Sequence, residues 1–200
     1  MKPIFFITIA LLITTSSFAQ LDQRTWLVGG SGSFYSYTDD YTSQPLTQSG
    51  KWTSIDLSAS VGYFLIAKLC GGARAIFSSD KGRDVSYNGT ISTSNGYHSS
   101  AGPFIRYYFL DSEKPFNLLT DISYQLGINK YLGALHQTGK YNIFSANAGI
   151  EAFFNSTAGV EILLGYYNKA ISIEDNTPGA FNDIKKGFQV SVGFQLHLIK

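Results

Sequence analysis

The chain has 200 residues, of which only 14% are charged, against about 25% in ordinary soluble domains, and 15% are aromatic. High hydrophobicity with a formal net charge of +1 excludes intrinsic disorder. A single Cys excludes an internal disulfide scaffold and a thiolate metal site, and 15 basic against 14 acidic residues lack the concentrated basic excess of a nucleic-acid binder.

The first element is an address. Met1-Lys2 gives a positive start, Ile4 to Ile13 is almost wholly apolar, and Thr14-Thr15-Ser16-Ser17-Phe18-Ala19 places small residues at the −3 and −1 positions. This pattern predicts a secretory signal peptide, residues 1–19, cleaved after Ala19. The apolar stretch is too short for the ~20 residues of a membrane-spanning helix. No Cys follows the cleavage site, which argues against a lipoprotein. Residues 20–200 then form one domain with 14 basic and 14 acidic residues, since Lys2 leaves with the leader.

From there the chain alternates with a period of two. Eight strands are expected, in order Thr25–Tyr37, Lys51–Leu65, Leu69–Ser79, Tyr97–Leu110, Phe116–Ile128, Tyr141–Phe154, Ala158–Asn168 and Gly187–Ile199. In the second, Ile55, Leu57, Ala59 and Val61 share one face and Ser54, Asp56, Ser58 and Ser60 the other. In the fifth, Leu118, Ile122, Tyr124 and Leu126 oppose Asn117, Asp121, Ser123 and Gln125. The sixth, seventh and eighth repeat the pattern; the first is ambiguous, because Gly and Ser fill both faces.

Every mid-strand charge falls on the polar face: Asp56, Arg74, Arg106, Asp121, Glu151 and Glu161. The remainder of that face is Ser, Gly, Asn and Gln, which suits a crowded barrel interior better than a water-washed surface. Strands of 11–15 residues exceed the usual five or six of soluble sheets and match a tilted membrane crossing. Connections alternate as well. Those after the second, fourth and sixth strands are short, and Thr38–Gly50, Asp80–Gly96, Asn129–Lys140 and Lys169–Lys186 are long. The expected fold is therefore all-β: an eight-stranded antiparallel up-and-down transmembrane β-barrel, with short periplasmic turns and long extracellular loops.

Three segments then carry a resemblance: Val61-Gly62-Tyr63-Phe64-Leu65 with Leu69-Cys70-Gly71-Gly72 after a short turn, Gly102-Pro103-Phe104-Ile105-Arg106-Tyr107-Tyr108-Phe109, and Ala148-Gly149-Ile150-Glu151-Ala152-Phe153-Phe154. Over Gln20–Lys200 the chain resembles the outer-membrane protein β-barrel domain family, the small "porin family" barrels of Gram-negative bacteria. The resemblance implies an outer-membrane barrel without assigned activity. Many such barrels end on an aromatic residue used in assembly; this chain ends Leu198-Ile199-Lys200, and Phe194 could serve instead.

The six interior charges are the candidate site. An isolated buried charge is costly, so they are read as a salt-bridged plug, with Arg74 and Arg106 each between carboxylates and two surplus acids protonated or water-linked. A proton or ion path is the functional counterpart. Bulky Trp52, Ile76, Phe104, Tyr108 and Leu119 fill the interior between the charges. His98 and Ser100 share a lumen face near the outer end of the fourth strand, but Asp111 and Glu113, the acids next in sequence, lie at its other end, so no catalytic triad is expected. Cys70 is read as a small buried residue. His98, His136 and His197 are too scattered for a metal site.

Trp26, Tyr63, Tyr107, Tyr108, Phe109, Phe153, Phe154, Tyr166 and Tyr167 lie near strand ends, where aromatic girdles sit. Lys81 and Arg83 in the second loop, and Lys185-Lys186 in the fourth, are rim cations that lipopolysaccharide phosphates could meet. The expected role is that of a non-enzymatic, monomeric outer-membrane barrel with a structural or surface-interaction function. It needs no cofactor and binds no nucleic acid. Its partners are outer-membrane lipid and lipopolysaccharide, with a surface ligand possible at the long loops. The alternatives are a narrow conduit for small molecules or hydrophobic ligands and, more distantly, a soluble periplasmic lipocalin-like binder with its apolar faces turned inward.

Overall fold

A computed structural model of the chain describes residues 21–43, 46–85, 91–132, 137–173 and 181–198. The expected signal peptide and its cleavage point lie outside the described residues. Eight strands follow one another: β1 Trp26–Ser43, β2 Leu46–Ile66, β3 Leu69–Val85, β4 Ile91–Tyr108, β5 Phe116–Leu132, β6 Gln137–Phe153, β7 Ala158–Ile173 and β8 Phe181–Leu198. Each pairs antiparallel with its neighbours in sequence, and β1 also pairs with β8, so the sheet closes into a barrel. The β1–β8 ladder runs from Trp26↔Leu198 to Ser33↔Ser191, so closure pairs the two edge strands along the lower wall, where an open sheet would leave backbone groups without partners.

The strands run further than the alternation alone indicates. β1 and β2 stay paired from Thr38↔Lys51 up to Ser43↔Leu46, inside a segment read as loop, and β3 and β4 stay paired up to Val85↔Ile91. These extensions are rich in Ser, Thr and Asp. With no apolar face to bury, the two-residue pattern fades, while the ladder of backbone hydrogen bonds continues.

At the other end the connections are tight. Lys68 turns the chain with φ 70°, a conformation usually left to Gly. Its N–H donates to the Leu21 carbonyl at 2.9 Å, and its carbonyl accepts from the Tyr108 N–H at 2.9 Å. The segment before β1 lies across this end, with the Arg24 N–H donating to Phe64 O at 3.1 Å.

Alternation becomes geometry in the wall. On β5, Phe116, Leu118, Ile122, Tyr124, Leu126 and Ile128 are exposed on the outside, while Asn117, Leu119, Asp121, Ser123 and Gln125 are buried in the lumen. β2, β6, β7 and β8 keep the faces their sequences indicate. β1 is settled as well: Phe34 faces out and Leu27 is buried. The oily faces therefore point outward all round, the reverse of a lipocalin-like binder.

On β4 the outer apolar band runs from Tyr107 to Tyr97, a span of ten residue steps. At about 3.4 Å per residue and a tilt of roughly 40°, that is about 26 Å along the barrel axis, against ~25 Å for the apolar band of a membrane barrel. Soluble monomers rarely expose apolar patches beyond a few hundred Å². Trp26, Tyr107, Phe109, Phe154 and Tyr166 border this band. Three residues expected in the girdle are not in it. Tyr108 is fully buried, Phe153 packs against the interior cluster, and Tyr167 lines the lumen. Each sits next to an outward-facing aromatic; Tyr108 follows the interior reading that its parity also gave, and for Phe153 and Tyr167 proximity to a strand end had masked inward parity.

Candidate functional site in the lumen

The lumen is built in layers. Towards the tight turns, Leu21, Leu27, Phe64, Cys70, Tyr108 and Leu119 form a buried apolar cluster, which Phe104 and Leu163 extend past Arg106 and Glu161 towards the long connections. Phe64 stacks on Tyr108 with ring centroids 5.8 Å apart. Leu21, only 1% exposed, caps the cluster from the segment before β1. His197 is packed among these rings, 5.4 Å from Phe153 and 5.9 Å from Phe64.

Directly on this plug sits the ionic layer, with Asp121 as its hub. Arg74 grips the Asp121 carboxylate with both Nη atoms, at 2.8 and 2.7 Å, and lies over the Phe104 ring at 4.7 Å. Arg106 donates from Nε to Asp121 Oδ2 at 3.1 Å and from Nη1 to Glu161 Oε2 at 2.7 Å. Asn147 Nδ2 approaches Asp121 at 3.4 Å, and Gln195 Nε2 donates to Glu161 Oε1 at 2.9 Å. The Tyr108 hydroxyl donates to Glu151 Oε2 at 2.7 Å, and His197 Nε2 lies 2.8 Å from Glu151 Oε1.

The structure thus brings together five of the six candidate residues, Arg74, Arg106, Asp121, Glu151 and Glu161, and sets Asp56 apart from them. Arg106 lies between two carboxylates as expected, but Arg74 meets only Asp121. The surplus acids also find partners that a count of arginines omits. Glu151 is met by His197 and Tyr108. Asp56 takes a hydrogen bond from Ser54 at 3.1 Å and lies within electrostatic reach of Lys169.

Asp56 belongs to a second cluster, nearer the long connections. There Ser54 Oγ also lies against Asp80, its one proton standing between the two carboxylates, and Asp80 Oδ2 lies 2.6 Å from His98 Nε2. Lys169 Nζ sits 4.4 Å from the Tyr141 ring, which meets His98 edge-on. Asp80 supplies the acid that His98 lacked in the sequence. Yet the hydroxyl on that carboxylate is Ser54, and Ser100 Oγ is buried without a hydrogen-bond partner. The required contact between nucleophile and base is not made through Ser100.

Between the clusters, Ser31, Ser58, Ser145, Asn147, Gln189 and Tyr167 help to line a polar cavity with about 70 Å³ of room for water-sized occupants. At roughly 10–15 Å³ for each water, that is space for a handful. Among the described residues no three His, Cys, Asp or Glu side chains are placed to hold a metal ion. His136 lies outside the described residues, as does the side chain of Trp52.

Glycines make room for this chemistry. Glu161 is paired with Gly193, Asn147 with Gly165 and Gln195 with Gly29. A Cβ on any of these glycines would collide with the polar side chain opposite. The sequence contained the remaining partners in a less readable form. Asp80 and Lys169 each fall one residue past an expected strand end, and His197 stands on the polar face of the eighth strand as a group whose charge is conditional.

No protein-family model matches the chain, and no curated protein matches it. Solved structures do. The outer membrane protein OprG from Pseudomonas aeruginosa superimposes with a TM-score of 0.56 at 9% identity, covering 90% of this chain and 98% of that one. Neisserial surface protein A (NspA) superimposes with a TM-score of 0.50 at 16% identity, covering 86% and 96%. The likeness is one of fold: a closed eight-stranded antiparallel barrel of the outer-membrane type.

Proposed function

We propose that the chain is a small outer-membrane barrel of a Gram-negative cell, of the "porin family" kind, exported on its leader. Its interior is filled, and its role is structural or interactive rather than enzymatic. The tight turns would face the periplasm and the extended hairpins the exterior. The observation that carries this reading is the pair of stacked layers across the lumen, apolar plug and ion-paired network, built from residues almost wholly removed from solvent. Such a barrel holds position in the membrane and presents its outer end to lipopolysaccharide or a surface ligand. It is expected to act as a monomer, without cofactor. The alternative is the narrow conduit, in which these layers would open.

Three measurements test the proposal together. The protein should fractionate with the outer membrane and, unboiled, run as a compact fast-migrating band that slows on heating. Reconstituted in planar bilayers it should give no conductance steps. Regular steps would replace the filled-barrel reading with the conduit, and recovery in the soluble periplasmic fraction would overturn both.

A further inference from the structure

Above the apolar band on β2, β3 and β4, the described outer face carries two cations and no acid. Lys81 and Arg83 are two residues apart on the outer face of β3, both exposed, and neither has a carboxylate partner among the described residues. The ladder sets Lys81 between Thr53 on β2 and Asn95 on β4, and Arg83 between Lys51 and Thr93. Opposed residues on one face of a sheet have Cβ atoms about 5 Å apart, so Thr53, Lys81 and Asn95 stand in one row, beside Arg83 and Thr93 in the next. Thr53, Lys81, Gly82, Arg83, Thr93 and Asn95 line a shallow recess of about 410 Å³. No acid stands among the described outward residues of these three strands. The nearby acid, Asp80, is turned into the lumen and committed to Ser54 and His98.

Height on the wall selects the ligand. Tyr97, at the upper edge of the apolar band, pairs with Ser79, two residues below Lys81. A molecule in this recess thus has its polar part just beyond the hydrocarbon and its apolar part alongside Phe77, Ile55 and Leu57, all exposed below. Lys and Arg donate charge-assisted hydrogen bonds to phosphate oxygens, Arg through two parallel N–H groups, and the hydroxyls and amide can complete the shell.

From this arrangement we propose that Lys81 and Arg83, with Thr53, Thr93 and Asn95, form a site on the outer wall for the phosphate headgroup of a leaflet lipid. The ligand class is a phosphorylated, multiply acylated glycolipid of the outer leaflet. The inference rests on the membrane reading above and adds to it a defined docking position.

The test uses the full barrel in neutral detergent, with bisphosphorylated lipid A as probe and native mass spectrometry to count retained lipid. Wild type should retain this lipid in preference to its dephosphorylated form. Lys81→Ala/Arg83→Ala should reduce retention about tenfold, on the scale expected for two basic contacts to an anionic lipid surface. The milder Lys81→Gln/Arg83→Gln pair should do the same, and Lys114→Ala/Lys140→Ala, two exposed cations outside the recess, should not. Equal loss in the control pair would mean diffuse attraction and overturn the site. Equal retention of dephosphorylated lipid A would overturn phosphate recognition. Full displacement of the lipid by millimolar inorganic phosphate would overturn the lipid as ligand. Heat-modifiable mobility, followed in every variant, reports the barrel separately: if wild type lacked it, the membrane reading itself would fall, and the site with it.

Discussion

Arg106 reaches from β4 across the lumen to Glu161 on β7, Nη1 to Oε2 at 2.7 Å, while its Nε stays 3.1 Å from Asp121 on the adjacent β5. One guanidinium thus ties the wall together across the barrel, at a site where all three side chains are at most 2% exposed. Arg106→Ala leaves two carboxylates buried with less counter-charge, and breaking a buried pair from one side typically costs about 3–5 kcal/mol. The variant should convert from the compact to the unfolded gel band at a clearly lower temperature. The swap Arg106→Met/Glu161→Gln should recover much of the loss, because it removes the stranded charge as well. An unchanged transition in Arg106→Ala would contradict the structural role of the network.

Glu161 depends in turn on what Gly193 lacks. The two are paired across β7 and β8, and a Cβ on Gly193 would lie 2.8 Å from Glu161 Oε1 and 3.0 Å from the Gly30 carbonyl oxygen. Gly193→Val should push the carboxylate off Arg106 and lower the same gel transition. Because it breaks the same contact, its effect combined with Arg106→Ala should fall short of the sum of the two. Full additivity would show that Gly193 acts through the backbone alone.

The wall was legible in the sequence because its two faces meet different solvents. Ile122 beside Asp121, or Ile162 beside Glu161, fixes inside and outside by parity alone. Strand ends were less legible, because above the apolar band both faces of Thr38–Ser43 are polar and the pattern vanishes while pairing continues. That error removed Asp80 and Lys169 from the expected interior. Partner choice was not legible, since it depends on register around a closed sheet. Nothing in the local sequence tells Arg74 to take Asp121 alone, or His197 to approach Glu151 from 46 residues away.

The tight-turn end carries an ion pair of a different kind. Lys68 Nζ donates to Asp111 Oδ1 at 2.6 Å, with Asp111 78% exposed. That hydrogen bond first, and the Lys68 charge second, hold the Asp111 carboxyl below its ordinary range. A carboxyl lowered by folding adds stability above its unfolded pKa of about 3.9, and the gain is lost as pH falls through the lower folded value. Asp111→Asn should therefore be slightly less stable than wild type at neutral pH, as read from urea midpoints. The gap should narrow with added salt and close as pH falls through the lowered folded value. Exposure keeps the effect small. A gap that widened in acid would show that Asp111 is not held by Lys68.

The layered lumen makes a prediction about permeation that neither layer makes alone. Phe64, fully buried and stacked on Tyr108, belongs to the apolar plug; Arg106, directly above, belongs to the ionic layer. Arranged in series, either barrier is enough to block ions, the first by excluding water and the second by filling the bore with paired side chains. Phe64→Ala removes most of a ring from the plug, at a cost of about 3–5 kcal/mol, but leaves the guanidinium bridged to Asp121 and Glu161. Arg106→Ala breaks the bridge above an intact plug. Each single variant should therefore remain silent in planar bilayers, and Phe64→Ala/Arg106→Ala should show discrete steps. The comparison is confined to barrels that still run as the compact band, so that leakage from unfolded protein does not enter it. If Phe64→Ala conducts by itself, the ionic layer is no barrier and the block rests on the plug. If Arg106→Ala conducts by itself, the plug is the porous layer and the pairing of Arg106 with Glu161 is what closes the lumen.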